Sequence, residues 1–343
     1  YTYEGVYHSE FTFPEMRGLA RKVRRIGEFM LKQNTRRKAE IALVVSEDSL
    51  NFCALENQFT FSGQYIQKYD SFTGKSVSWP EGTLRFTGPM LSGQLDQLSR
   101  CGAPFDCVLA EDLEKHLDDY KLYVFAGCLR YDERFLKAVQ QLRRKNVTLF
   151  WLYAPGIFRN FDRNINHMQE LTGFRFQMKD ELPAETYCGN GKFLGLENEM
   201  LRPGFHVPEQ SGVKRMYNYT ETPFCGYAER RDPDGALSIF SGAYRIPWKF
   251  YHELAKRSGV HLFTQGGDPL EANEALVTLH ARFPGRKTIR FPRKTDVYDL
   301  YHVRKIASDT EEVTLEAPLH SSWLLYWGAD GEKLLKELKD DHE

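Results

Sequence analysis

Residues 105–156 read FDCVLAEDLEKHLDDYKLYVFAGCLRYDERFLKAVQQLRRKNVTLFWLYAPG, and this stretch decides the fold. It contains three apolar runs, residues 105–110, 122–126 and 147–153. These runs lack the polar alternation of a half-exposed sheet, which predicts strands buried on both faces. Residues 134–145 carry apolar side chains at helical spacing, and Asp132 precedes them at a capping position. A strand, a helix and a strand in this order form a right-handed parallel crossover, so we predict a parallel sheet with helices on both faces.

The carboxyl ends of the predicted strands are where an open parallel sheet binds its ligands. Glu111 and Asp112 follow the first run of the quoted stretch, and Glu47 and Asp48 follow an earlier apolar run. Two carboxylates that face each other could serve glycoside hydrolysis. Carboxylates at the start of a helix also stabilise its free N–H groups, and we favour this structural role for all four residues.

Cys128 follows the second run and is the other candidate at this edge. A nucleophile elbow requires Gly-x-Ser/Cys-x-Gly on a sharp turn between a strand and a helix. The sequence around Cys128, AGCLR, lacks the second glycine, and no histidine is adjacent. A buried structural thiol is therefore the favoured interpretation. We assign no catalytic residue and keep Cys128, Glu111 and Asp112 only as candidates.

Charge and cysteine usage exclude several classes of function. Lys plus Arg (46) nearly equals Asp plus Glu (47), and the short basic runs at 21–25 and 36–38 are typical of a solvated helix face, so we predict no nucleic-acid partner. The six cysteines have no zinc-site spacing, and we predict no metal and no cofactor. No apolar run reaches the roughly 18 residues of a membrane span, so no membrane association is predicted.

The length of 343 residues favours two domains, because single cores stop growing near roughly 250 to 300 residues. Helical spacing predicts helices at 14–32, 91–99 and 247–258, and apolar runs predict strands at 39–46, 236–240 and 260–264, the last completing the parallel sheet. Residues 174–230 have no clear pattern. From residue 275 the period changes to two, which predicts short antiparallel strands at 276–280, 287–291, 297–301, 313–316 and 323–327.

These patterns divide the chain into four predicted segments. They are a helical connector (1–38), an α/β domain (39–268) with an insertion (51–88), a small antiparallel β-sandwich domain (269–328) and a C-terminal helix or tail (329–343). The insertion is too long for an ordinary loop and is rich in aromatic residues. Tyr69, Phe72 and Trp79 lie in it and are candidates for contact with a carbohydrate or with another subunit.

The quoted stretch and its flanks resemble a known family. LSGQLDQLSRCGAPFDCVLAEDL, DYKLYVFAGC and RRKNVTLFWLYAPG are similar to the middle domain of β-galactosidase-type glycoside hydrolases, a trimerisation domain that resembles the class I glutamine amidotransferases. ALSIFSGAYRIPWKFYHELAKRSGVHLF is similar to the closing strand and helix of that domain, and KTIRFPRKTDVYDLY resembles the small β domain that follows. The resemblance covers most of residues 20–328 and implies a flavodoxin-like sheet and a trimer.

Two departures from the family bear on activity. Where amidotransferases place the catalytic cysteine, this chain continues Tyr153-Ala154-Pro155-Gly156. The glutamates of the glycosidases belong to a (β/α)8 barrel, and this chain has too few βα units before its β region to form one. The resemblance therefore implies a non-catalytic portion of a larger glycoside hydrolase, or a free-standing relative.

We therefore predict a structural module that associates with copies of itself. The alternatives are a small α/β hydrolase, or a carbohydrate-binding module that acts at the carboxyl edge of the sheet. The beginning of the chain, YTYE, has neither an initiator Met nor signal-peptide character. We favour a cytoplasmic location, with a periplasmic or secreted one if the chain is a fragment.

Overall fold

The structure is a computed structural model that describes residues 14–33, 35, 39–49, 68–70, 75–77, 90–91, 93–160, 162–187, 193–233 and 235–339. It divides into two compact units. The α/β unit comprises residues 39–267, and the β unit combines the segment before residue 39 with the segment from residue 268 onward. The β unit is therefore discontinuous in sequence, and the α/β unit lies between its two parts along the chain.

The helices in chain order are α1 (Pro14–Gln33), α2 (Gly93–Ser99), α3 (Glu133–Leu142), α4 (Ile165–Thr172), α5 (Trp248–Arg257) and α6 (Gly331–Lys339). A 3-10 helix spans Ala110–His116. The strands of the α/β unit are β1 (Ile41–Val45), β2 (Lys68–Asp70), β3 (Lys75–Val77), β4 (Phe105–Leu109), β5 (Leu122–Ala126), β6 (Arg130–Tyr131), β7 (Thr148–Leu152), β8 (Phe158–Arg159), β9 (Asp162–Arg163), β10 (Gln177–Lys179), β11 (Leu182–Tyr187), β12 (Phe193–Leu201), β13 (Gly204–His206), β14 (Val213–Asn218), β15 (Cys225–Arg231) and β16 (Leu237–Ser241). Those of the β unit are β17 (Leu270–Ala272), β18 (Leu276–His280), β19 (Gly285–Asp299), β20 (Arg304–Ala317) and β21 (Ser322–Tyr326).

A seven-stranded sheet in the order β14-β15-β16-β7-β5-β1-β4 forms the centre of the α/β unit. The five strands from β16 to β4 are parallel, whereas β15 and β14 extend the sheet in antiparallel orientation. Every residue of β5 and β7 is buried, as expected for strands covered on both faces. The predicted α/β class is confirmed.

The predicted helix of the central crossover is confirmed, and so is its cap. The carboxylate Oδ1 of Asp132 accepts a hydrogen bond from the backbone N of Phe135 at 2.8 Å, which satisfies one of the free N–H groups at the start of α3. Phe135, Val139 and Leu142 are all buried on one face of the helix. The pattern of apolar side chains that predicted the helix is therefore the pattern that packs it onto the sheet.

The prediction that residues 260–264 form the last parallel strand is wrong. The backbone N of Val260 donates to Ala255 O in the last turn of α5 at 3.0 Å, and the N of Phe263 donates to Gly102 O at 2.8 Å. These backbone groups are therefore not available to a sheet ladder. The place beside β16 belongs to β15, which comes from the region that had no clear sequence pattern.

The β unit contains one five-stranded antiparallel sheet in the order β17-β18-β21-β19-β20 among its described residues. This corrects the prediction of a β-sandwich, which would be two packed sheets. The run 287–291 and residues 297–299 of the next run lie in the single long strand β19, which is irregular between Arg290 and Thr295. The apolar sides of α1 and α6 cover the sheet, with Ile26, Phe29 and Leu334 buried in a common core.

Candidate functional site at the carboxyl edge

The strand order reverses between β1 and β5, which are neighbours in the sheet. The chain continues from β1 to β4 on one side, and from β5 to β7 on the other. Val45 at the end of β1 is in register with both Leu109 of β4 and Ala126 of β5, so the segments that follow these three strands converge. Such a reversal leaves a crevice at the carboxyl ends of the strands, where open α/β sheets bind ligands.

Glu111 joins the ends of β1 and β4 in this crevice. Its Oε1 accepts a hydrogen bond from Ser46 Oγ at 3.1 Å and lies 3.5 Å from the backbone N of Asp48. The Oγ of Ser46 in turn accepts from the backbone N of Ser49 at 3.1 Å. The 3-10 helix that contains Glu111 has no side-chain cap at its N-cap residue, Leu109. Glu111 therefore links two segments that follow neighbouring strands.

Asp112 has a separate partner. Its Oδ1 lies 2.6 Å from Lys115 Nζ, and this hydrogen bond is the main reason that the pKa of Asp112 is lowered. Glycoside hydrolysis needs one of two facing carboxylic acids to hold a proton, which requires a raised pKa. Asp112 has the opposite environment, because the neighbouring ammonium group favours its charged form.

Arg130 and two serines complete the crevice and were not predicted from the sequence. Arg130 Nη1 lies 2.7 Å from Asp48 Oδ2, and its backbone N donates to Ser49 Oγ at 2.8 Å. A signal was present, since SEDS follows the β1 run and GCLR follows the β5 run, so polar side chains come directly after two buried strands. The sequence alone does not show that Arg130 contacts Asp48 and Ser49.

Cys128 lies beneath this polar layer. It is 1% exposed, and its Sγ lies 3.5 Å from the backbone O of Val44. Burial, with a smaller contribution from the charge of Glu111, raises the pKa of the Cys128 thiol far above its ordinary value. A reactive cysteine needs a lowered pKa and access to solvent. In this position the side chain is a neutral thiol in the core.

Tyr153 occupies the residue position directly after β7, at the carboxyl edge of the sheet. Its φ is 63°, an uncommon conformation for a bulky residue. The side chain is fully buried, and its hydroxyl donates to Pro203 O at 2.8 Å. The rings of Phe205 and Tyr244 each lie 5.7 Å from its ring centroid. An internal tyrosine therefore fills this position.

The three aromatic residues predicted to contact a carbohydrate or another subunit lie outside this crevice or outside the described residues. Phe72 and Trp79 fall outside the described residues, and Tyr69 lies in β2, which pairs with β3 in antiparallel orientation. No group of three or more His, Cys, Asp and Glu side chains in the described part of the chain is arranged to hold a metal ion. Among the helices described, none is long and apolar enough to span a membrane.

No protein-family profile and no curated protein matches the sequence. Solved structures do match. The β-galactosidase from Bacillus circulans sp. alkalophilus superposes with a TM-score of 0.62 at 13% identity over 92% of this chain, and Gan42B, a GH42 β-galactosidase from G. stearothermophilus, with 0.61 at 14% over 91%. The β-galactosidase from Rahnella sp. R3 gives 0.55 at 13% over 85%.

The matched portions are 45%, 43% and 41% of those three enzymes, so this chain spans less than half of their length. At this level of identity the similarity concerns the fold. Both units take part in it, because the superposition extends over about nine tenths of this chain in the first two cases. The chain therefore has the fold of a part of the GH42 β-galactosidases.

Proposed function

We propose that this chain is a non-catalytic assembly module of a β-galactosidase-like glycoside hydrolase, and that it mediates self-association. Its parallel strands in the order β4-β1-β5-β7-β16 follow the 2-1-3-4-5 order of the flavodoxin-like folds. This order supports the finer assignment to an amidotransferase-like α/β domain. The similarity to a part of several β-galactosidases supports the link to that class of enzyme.

Tyr153 is the observation that carries the non-catalytic assignment. The residue follows β7 directly and has a φ of 63°, but its phenol is buried and bonded to Pro203 O. A nucleophile must reach a substrate and must be activated by a neighbouring base. The first condition fails for this hydroxyl, because the side chain is fully buried.

The hydrolase alternative would use the crevice between β1 and β5. There the thiol of Cys128 is buried, Glu111 accepts from Ser46, and Asp112 is paired with Lys115. The pKa of Asp112 is lowered by Lys115 and the pKa of the Cys128 thiol is raised by burial, and each shift is the opposite of what catalysis would require of that group. The contacts in the crevice hold the ends of the strands together, which supports a structural role.

A direct assay tests the proposal. The purified chain, incubated with a panel of aryl glycosides, should release no aglycone above the rate without protein. The variants Glu111→Gln and Asp112→Asn serve as matched controls, since each keeps the size of its side chain and removes its charge. Turnover that survives repurification and disappears in either variant would contradict the proposal in favour of a hydrolase.

A further inference from the structure

A second site lies at the opposite margin of the α/β unit, beside the antiparallel strands. We propose that it binds a neutral oligosaccharide. We call it the tyrosine cleft, and it is lined by Tyr187 and residues 215–223. Its volume is about 1130 Å³, and it is open to solvent. Pockets for small ligands commonly measure about 300 to 1,000 Å³, so the cleft has room for more than one sugar ring.

Two tyrosines give the cleft surfaces on which a sugar ring can stack. Tyr187, at the end of β11, is 47% exposed, and Tyr217 in β14 is half-buried, with its ring 5.2 Å from that of Tyr227. A tyrosine ring has an apolar face and a polar edge, which suits the C–H face and the hydroxyl groups of a sugar. Contact with Tyr227 fixes the ring of Tyr217 before any ligand arrives.

The polar groups of the lining match an uncharged ligand rich in hydroxyls. Asn218 and Glu221 are exposed in the cleft, where the amide can donate and accept hydrogen bonds and the carboxylate can accept them. Among the described lining residues, Arg215 is the one cation and Glu221 the one anion, so their charges balance. A phosphorylated or acidic ligand would need an excess of positive charge, and this balance therefore favours a neutral saccharide.

The floor and the rim of the cleft are held in place by hydrogen bonds. Tyr219 is 1% exposed, and its hydroxyl donates to Phe205 O at 2.5 Å. In the turn after it, Thr222 Oγ1 donates to Tyr219 O at 3.1 Å, and Arg215 Nη2 donates to Pro223 O at 3.2 Å. A site that is rigid before binding loses less conformational entropy when the ligand arrives.

The Tyr219 ring can lie under the cleft because two neighbouring positions are glycines. A Cβ atom at Gly242 would overlap the Tyr219 hydroxyl, and one at Gly226 would overlap the Tyr219 ring and Thr186. Thr220, next to Tyr219, has a buried Oγ1 without a hydrogen-bond partner among the described residues.

Titration of the intact chain tests the proposal. Lactose and cellobiose serve as probes, and binding is followed by ligand-observed NMR. We expect saturable binding of at least one disaccharide, and an increase in Kd of about tenfold for Tyr187→Ala, which corresponds to about 1.4 kcal/mol. Tyr187→Phe keeps the ring and should retain the affinity, whereas Asn218→Ala should weaken it by removing hydrogen bonds.

Phe283→Ala is the matched control, because Phe283 is an aromatic residue of the β unit that is 64% exposed. Its Kd should equal that of the unchanged chain, and thermal melts should show that all variants fold. No saturable binding of either sugar, or equal Kd values for Tyr187→Ala and the unchanged chain, would overturn the proposal. Neither result would affect the assembly role, which is read from molecular mass rather than from sugar binding.

Discussion

Tyr153 and Cys128 show at the scale of single residues that two positions at the carboxyl edge are part of the core. Each follows a buried strand directly or within two positions, which is where α/β proteins commonly carry reactive groups. In both cases the side chain turns into the core and bonds to a backbone oxygen, Pro203 O for the phenol and Val44 O for the thiol. Because both side chains are buried, they contribute to core packing and are not accessible to a substrate.

We predict that Tyr153→Phe lowers the free energy of unfolding by about 1 to 3 kcal/mol, because Pro203 O would remain buried without its donor. Tyr153→Ala should cost more, about 3 to 5 kcal/mol, because it also leaves a cavity. Urea denaturation of the two variants measures both values. An unchanged midpoint for Tyr153→Phe would mean that water replaces the hydrogen bond, and that the phenol is not enclosed.

We also predict that Cys128 resists alkylation at neutral pH. Its buried thiol has a raised pKa, so the reactive thiolate is scarce and inaccessible. Cys107 is exposed in the same chain and serves as an internal control. Brief treatment with iodoacetamide followed by peptide mass spectrometry should show label on Cys107 and none on Cys128. Faster labelling of Cys128 than of Cys107 would revive it as a candidate nucleophile.

The elements differ in how far their sequence predicts them. Strands β5 and β7 were predicted because each is buried on both faces, so one local run of apolar residues contains the whole signal. The expectation of burial on both faces is wrong for β4, which lies at the sheet edge with Cys107 and Leu109 exposed, although its apolar run was enough for the strand to be predicted. Strand β14 was not, because it lies at the sheet edge, has mixed exposure and carries bulges next to Tyr217. A half-exposed, irregular edge strand has no period that could identify it.

In the candidate site, too, features set by neighbouring residues in the sequence could be predicted, whereas contacts between distant residues could not. Glu111 could be placed at the carboxyl edge, since it comes directly after an apolar run. Its bond to Ser46 could not, because these residues are 65 positions apart and meet only through the pairing of β1 with β4. The sequence shows where each strand ends, but the order of the strands in the sheet determines which of these ends are neighbours.

The cap of α3 gives a prediction at the scale of an element. Asp132→Ala removes the acceptor of the Phe135 N–H group and should lower the free energy of unfolding by about 1 kcal/mol. Asp118→Ala is the matched control. Its carboxylate is 86% exposed and pairs only at the surface, with Lys145, so we expect a change within about 0.5 kcal/mol. Equal losses in the two variants would show that capping adds nothing beyond a surface charge.

At the scale of the whole molecule, the prediction concerns assembly. Light scattering should give a mass above the 39.9 kDa of one chain, as expected for self-association, and a trimer would match the family resemblance. Trp79→Glu and Phe72→Asp should lower the mass, because a charge on one patch of a ring damages every interface at once. Both residues lie in the aromatic insertion outside the described residues.

Phe283→Asp provides the matched control, since it places the same kind of charge on an exposed aromatic residue elsewhere in the chain. The mass of this variant should equal that of the unchanged chain. A monomer at micromolar concentration for the unchanged chain would refute autonomous assembly. An unchanged mass for Trp79→Glu and Phe72→Asp would instead move the interface away from the insertion.

The division of the β unit into two sequence segments sets a delay during synthesis. Lys22 and Arg25 of α1 donate to the backbone oxygens of Tyr301 and Glu337, which the ribosome adds 279 and 312 residues later. At a synthesis rate of about 5 to 20 residues per second, these partners are added about 15 to 60 s after α1. During this time Ile26 and Phe29 lack the core residues that bury them in the folded β unit. The speed of translation through the intervening α/β unit thus determines how long α1 is open to chaperones and proteases.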